Sequence, residues 1–188
     1  MILRLYIIFL FILFPYKSYA ETTLRMANWL PPTHPWVLDI MIPWIKNVYE
    51  ASEGRVKIVL LEAPIGPPPA HFNFAAKGIA DITYGVHNYT AGRFTSTQIT
   101  ELPFLSKSSE ILSVAWQRIY QRELLSLEEH NGTHLLGVYT HGPGQLWLNK
   151  KYTTLESIKG LKIRIGGGIA QSSAKALGLV PLQAPVTK

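Results

Sequence analysis

The chain has 188 residues, 47% hydrophobic and 16% charged, a composition that suits one or two small folded domains held by ordinary apolar cores. It contains no cysteine, which excludes a disulfide framework, a thiolate metal site and thiol chemistry. Its formal charge of +6 is carried by scattered Lys and Arg, with Lys150-Lys151 the only adjacent pair, and no basic run or zinc-finger spacing marks nucleic acid as a partner.

The chain starts with Arg4 ahead of an apolar run at residues 5–14, followed by Lys17, Ser18 and Ala20. That order is a secretory signal over residues 1–20, since the apolar run is far shorter than the roughly 20 residues a spanning helix needs. The mature chain is then expected to begin near Glu21 in the periplasm, to span no membrane, and to carry a charge of +4 once Arg4 and Lys17 are gone.

Residues 24–28 read as a strand, and Thr33 with Pro35 marks a helix start. Val37, Ile40, Met41, Trp44, Ile45 and Val48 follow as one apolar stripe toward Gly54, with Pro43 expected to kink the helix. Residues 56–61 form a nearly continuous apolar run, as in a strand covered on both faces. After the loop APIGPPPAHF, a short helix at 72–77 ends at Gly78 and a strand is expected at 81–86.

Ser108 or Ser109 can cap a long helix on which Ile111, Leu112, Ala115 and Ile119 share a face, stopping near Gly132. A strand at 134–139 leads into HGPGQLWLN. In the next strand Leu161, Ile163 and Ile165 alternate with Lys162 and Arg164. Gly166, Gly167 and Gly168 then open a helix at about 169–177, and residues 180–183 begin another strand. Strands alternating with helices imply right-handed crossovers and mostly parallel sheets. Pro185 is placed to start a further helix that Thr187 and Lys188 enter, which suggests a chain that stops early.

The pattern GLKIRIGGG, residues 160–168, is the strongest candidate site. Ligands of α/β sheets bind beyond the carboxyl ends of strands, where Arg164 could hold a carboxylate through two parallel hydrogen bonds beside a glycine-rich helix start. Spacing alone leaves open whether Arg164 faces such a cleft or points to solvent with Lys162, which shares its strand face. A dinucleotide loop is excluded, because Gln171 stands at the third glycine position and no acidic residue follows to bind a ribose.

No Gly-Lys-Ser/Thr phosphate loop and no G-x-S-x-G elbow occurs. His130 and His134 have a metal-ligand spacing, but Asn131-Gly132 between them signals a helix end that turns them apart. Trp29, Tyr84, His87, Asn88, Tyr89, His141 and Trp147 recur just after expected strands, a placement that suits a cleft with apolar walls and a few polar groups.

The segments LRMANWLPPTHP, IGPPPAHF, KGIADITYG, GRFTSTQITELPF, THGPGQLWLNKKYTTLESIKGLKIRIGGG and ALGLVPLQAPV, taken together, resemble the DctP-type solute receptors of tripartite ATP-independent periplasmic (TRAP) transporters. The resemblance implies an α/β, periplasmic-binding-protein-like fold of two lobes that close on an organic acid such as a dicarboxylate. One lobe would occupy residues 21–141 and a second, incomplete lobe residues 142–188. The family's strand arginine falls on Arg164. The resemblance places Asn28, Trp29, His87, Asn88 and Tyr89 in loops lining the cleft.

Some members carry a second arginine upstream of the motif, where this chain has Gly144 and Gln145 followed by Trp147, which sets it apart from sialic-acid-like recognition. The implied partners are a carboxylate solute and TRAP membrane subunits, with no cofactor, metal or catalysis. An extracytoplasmic α/β enzyme acting on a small organic acid and a non-binding fragment of a receptor remain the alternatives.

Overall fold

A computed structural model describes residues 20–186. The signal core at 5–14, with Arg4, and the terminal Thr187 and Lys188 lie outside them. Strand β1 (Thr22–Met26) pairs in parallel with β2 (Val56–Leu60), in register Leu24 to Ile58. Helix α1 (Ile42–Ala51) connects them as a crossover and continues directly from a wider-wound turn, Trp36–Met41. Here the structure reshapes the expected kink. Proline cannot donate a backbone bond, and Pro43 sits in the first turn of α1 behind a five-residue bond from Ile42 N–H to Val37 O.

The wide turn also changes which side chains face inward. Val37 and Met41 are buried, whereas Ile40 turns outward. Together with Met26, Trp29, Leu30 and Ile58 they form the core of the N-terminal part. β2 is not covered on both faces as expected, since Val59 and Lys57 are exposed on the side away from that core.

The strand expected at 81–86 is reduced to one parallel bridge, Met26 to Ile82. Arg25 fixes its start, with its backbone N–H donating to Asp81 Oδ2 at 2.7 Å and its guanidinium pairing with the same oxygen at 3.2 Å. Beyond Ile82 the backbone leaves the ladder, because Tyr84 O accepts the Trp29 indole N–H at 3.3 Å instead of a strand donor. The short helix α2 (His71–Ala76) lies between β2 and this segment.

Helix α3 (Ser109–Ile119) is capped by Ser108, whose hydroxyl accepts from Ile111 N–H at 3.2 Å. It runs on through a wider turn at Tyr120–Leu124 and a tighter one at Leu125–Leu127. Its inward face is set by Trp116 and Tyr120, packed with Val138, so of the expected face Leu112 is half-buried while Ile111, Ala115 and Ile119 point to solvent. The strand expected at 134–139 is an extended segment without a strand partner among the described residues. Side chains of α3 satisfy its backbone instead, with Val138 N–H donating to Gln117 Oε1 at 2.7 Å and Thr140 N–H to Ser113 Oγ at 2.9 Å.

The C-terminal part matches the sequence reading closely. β3 (Lys162–Ile165) pairs in parallel with β4 (Val180–Gln183), and α4 (Ile169–Ala176) crosses between them. Ile158, Ile165, Ala174 and Leu179 form its small core. Among the described residues no helix is long and apolar enough to cross a membrane. The architecture is α/β with parallel strand pairs, as the sequence pattern requires.

Candidate functional site

Two features converge where the loop after β3 meets the loops of the N-terminal part. The first is Arg164, near the carboxyl end of β3. Its Nε donates to Ala184 O at 2.7 Å and its Nη2 to Tyr89 Oη at 3.0 Å. Tyr89 Oη also accepts from Val186 N–H at 3.0 Å, so one phenol oxygen ties two backbone regions to the guanidinium. These bonds fix the plane of Arg164 and occupy its Nε edge. Nη1 has no partner among the described residues, which leaves the end of the fork able to donate to a carboxylate.

The second feature is a cleft of about 300 Å³ between the loop at 87–98 and helix α4, lined on one side by His87, Asn88 and Phe94 and on the other by Ile169, Gln171 and Lys175. Its floor is a tight contact. A Cβ on Gly168 would stand 2.6 Å from both Asn88 Oδ1 and Glu101 Oε2, and Gly168 has φ +60, so a glycine here lets these two side chains reach the backbone. Glu101 Oε2 accepts from Ile169 N–H at 3.2 Å, and Asn88 Nδ2 donates to Glu101 Oε1. The glycine-rich start of α4 is thus occupied by a carboxylate of the chain itself. Burial pushes the Glu101 carboxyl up, against the bonds from Asn88 and Ile169, which favour its charged form.

The residues singled out from the sequence separate into three groups. His87 and Asn88 line the cleft, whereas Arg164 and Tyr89 bond each other beside it, outside its lining. His87 lines the cleft, yet both its ring nitrogens are engaged inside the protein, Nδ1 with Thr97 Oγ1 at 2.5 Å and Nε2 with His130 Nε2 at 3.2 Å. His130 Nδ1 in turn meets Tyr120 Oη at 2.7 Å. Burial, then the neighbouring His130, lowers the His87 pKa to about 4, and burial lowers that of His130. The ring of His87 also stacks on Phe94, with centroids 4.2 Å apart.

Asn28 and Trp29 lie behind this surface. Asn28 is buried, its Nδ2 donating to Leu30 O and its Oδ1 accepting from Leu30 N–H and Tyr84 Oη, all within 3.0 Å. Trp29 is buried and stacks on Tyr84, with Tyr89 tilted against it at 6.2 Å. Gly144, Gln145 and Trp147 form the third group. They sit in an exposed segment outside the cleft, and Trp147 is 85% accessible.

Sequence reading passed over Glu101, Gln171, Lys175 and Gln183. Glu101 lies in the segment GRFTSTQITELPF, where no local spacing marks it as a site residue. Gln183 is the last residue of β4, and its Nε2 reaches Gly166 O at 3.4 Å and Asn88 O at 3.5 Å. Among the described residues no group of three or more His, Cys, Asp or Glu is placed to hold a metal, and His130 turns to His87 rather than to His134.

Residues 26–188 match a family model described as bacterial extracellular solute-binding protein, family 7. A TRAP periplasmic solute binding protein from Bordetella bronchiseptica, solved with bound (R)-mandelate and (S)-mandelate, is 38% identical with a TM-score of 0.83, over 88% of this chain and 53% of its own. A TRAP solute binding protein from Rhodoferax ferrireducens, solved with copurified benzoate, is 27% identical with a TM-score of 0.79, over 88% of this chain and 52% of its own. An outer membrane transporter protein, TsaT, from Comamonas testosteroni is 26% identical over 173 residues, which are 91% of this chain and 51% of that protein. The chain therefore spans about half the length of the relatives it matches.

Proposed function

The chain belongs to bacterial extracellular solute-binding protein family 7, the DctP-type receptors of TRAP transporters, and on that premise we propose that it contributes the Arg164 half of a carboxylate-binding cleft. Family membership places it outside the cytoplasm, as a binding protein and not an enzyme. In this reading residues 21–141 make one lobe and residues from 142 onward begin a second. The lobes close on a small organic acid, and the loaded receptor delivers it to TRAP membrane subunits.

The arrangement around Arg164 carries the reading. Tyr89 and Ala184 O hold the guanidinium at the junction of the two lobes and leave Nη1 for the solute. A preoriented fork of this kind loses little rotamer freedom on binding. Relatives solved with mandelate and benzoate make aromatic monoacids the first solutes to try.

The test is calorimetric titration of the full chain with benzoate and mandelate. Arg164→Ala is expected to lose most of the affinity, roughly 2–5 kcal/mol, because the carboxylate loses its charge-assisted partner. Arg164→Lys should also bind poorly, since an ammonium lacks the planar fork. Lys162→Ala, on the same strand face, should bind normally. Undiminished binding by Arg164→Ala would sink the proposal.

A further inference from the structure

The segment from His87 to Glu101 touches the C-terminal part at both of its ends. At one end the turn His87–Tyr89 gives His87 and Asn88 to the cleft and Tyr89 to Arg164, whose Nη2 donates to its Oη at 3.0 Å. At the other end the turn Ser96–Glu101 carries Glu101, whose Oε2 accepts from Ile169 N–H at 3.2 Å.

Behind this segment, outside the lining of the cleft, stand two residues adjacent in sequence, Glu129 and His130. Glu129 is buried, and its carboxylate accepts from Ser96 N–H at 2.8 Å, Thr95 Oγ1 at 3.0 Å and Ser96 Oγ at 2.6 Å. Its carbonyl accepts from Arg93 Nη1 at 3.2 Å. These bonds fix the start of the Ser96–Glu101 turn. His130 fixes the other end, with Nε2 3.2 Å from His87 Nε2 and Nδ1 2.7 Å from Tyr120 Oη.

We infer that Glu129 and His130 are positioning residues for solute binding, which brace the segment carrying the cleft wall and the Tyr89 partner of Arg164, and that acid releases the His130 end first. The inference rests on the function proposed above and places its site under proton control.

With both imidazoles neutral, one Nε2 carries a hydrogen and the other a lone pair, and the pair is bonded. A proton added to one ring buries a cation, and a proton on each sets N–H against N–H across the pair. Burial, which Glu129 partly offsets, disfavours charge on either ring, with His130 adding to the effect at His87 and Arg93 adding to it at His130. Burial raises the Tyr120 pKa, away from this range, and pushes up the carboxyl of Glu101, which is bonded to Asn88 of the same turn.

The separated rings take their protons near the ordinary value of 6.5, so the His130 end loosens as pH falls through it toward about 4. The Glu129 end outlasts it. Burial would raise the Glu129 carboxyl, but the bonds from Ser96 and Thr95 hold it below the ordinary 4.5. Between those values the segment is freed at the Tyr89 end, and Arg164 loses its orienting partner.

The experiment is calorimetric titration of the full chain with mandelate at about pH 7.5 and about pH 5, where a carboxyl with an ordinary pKa of about 4 stays mostly ionised. Affinity is expected to fall about fivefold or more at the lower pH, and binding there should release protons, read from heats in buffers of different ionisation enthalpy. In His130→Gln, whose amide does not titrate, the fall should shrink to about twofold, whereas Glu101→Gln should keep it. Glu129→Gln should weaken binding about threefold or more at pH 7.5 while the fall persists.

Equal affinity at the two pH values in the unaltered chain overturns the inference, whether or not any variant folds. So does a fall that His130→Gln leaves unchanged or that Glu101→Gln abolishes, which would assign the proton to Glu101. Undiminished binding by a folded Glu129→Gln overturns it, as does loss of far-UV circular dichroism at pH 5, since the release is local. If mandelate fails to bind at pH 7.5, or binds equally well to Arg164→Ala, the carboxylate reading itself has failed and the inference goes with it.

Discussion

The loops that follow β1 and β3 occupy equivalent places at the carboxyl ends of parallel strands, yet they are built in opposite ways. After β1, Asn28 closes the turn on itself. Its amide bonds both polar groups of Leu30 and the Tyr84 hydroxyl, and Trp29 and Leu30 are buried beside it. After β3, the glycines make no such closure. They let Asn88, Glu101 and Gln183 from elsewhere approach the backbone, while Arg164 keeps a donor unmatched. A self-satisfied loop supports the fold. One built with partners from other segments can bind where, as at Arg164, a donor is positioned without being used up.

The comparison is broken most severely at Asn28. Asn28→Ala leaves the Leu30 N–H, the Leu30 carbonyl and the Tyr84 hydroxyl without their buried partner, and stability should fall by roughly 2–4 kcal/mol in urea unfolding. A loss below about 1 kcal/mol would show that water replaces the amide and that the turn is not closed as described.

Acid should weaken the wall that faces the second loop. His87 has a folded pKa of about 4 against an ordinary 6.5, because burial and His130 disfavour its charge. The unfolded chain then binds the proton first, so stability is full above 6.5, declines as pH drops toward about 4 and levels off below. His130 contributes in the same direction.

Glu129 works at the acid end. Burial alone would raise its pKa, but hydrogen bonds from Ser96 and Thr95 outweigh that and hold it below the ordinary 4.5, so its contribution is lost as pH falls past that value. Arg93 and Tyr120 face the same cluster, and burial raises the Tyr120 pKa, away from this range. The His87 part amounts to roughly 3 kcal/mol and should vanish in His87→Phe, followed as urea midpoint against pH. A flat profile between pH 6.5 and 4 in the parent would contradict the buried histidine pair.

The smallest effect on stability should come from the glycine loop, with a larger effect on binding. Gly168→Ala adds a Cβ 2.6 Å from Asn88 and Glu101 at a backbone φ of +60. It should cost about 1–2 kcal/mol of stability and weaken benzoate binding by prising the loop from Asn88. Gly144→Ala meets nothing within 4 Å and should change neither measurement. Equal effects of the two substitutions would show that the close contact at Gly168 is not made as described.

The sequence by itself determined the α4 and β4 elements, a serine cap at 108 or 109 and the parallel pairing, because these rest on local periodicity, capping and glycine placement, and the structure chose Ser108. It also brought Arg164 to the end of a strand. Tertiary structure decided the rest. Residues 81–86 and 134–139 have strand-like composition, but whether they join a ladder depends on competing donors and acceptors such as Trp29, Gln117 and Ser113. The inward face of α3 was invisible for a similar reason, since a stripe of Ile111, Ala115 and Ile119 looks as apolar as one of Trp116 and Tyr120. Glu101 could be placed at α4 only by the fold, because a hydrogen bond spanning 68 residues leaves no trace in local spacing.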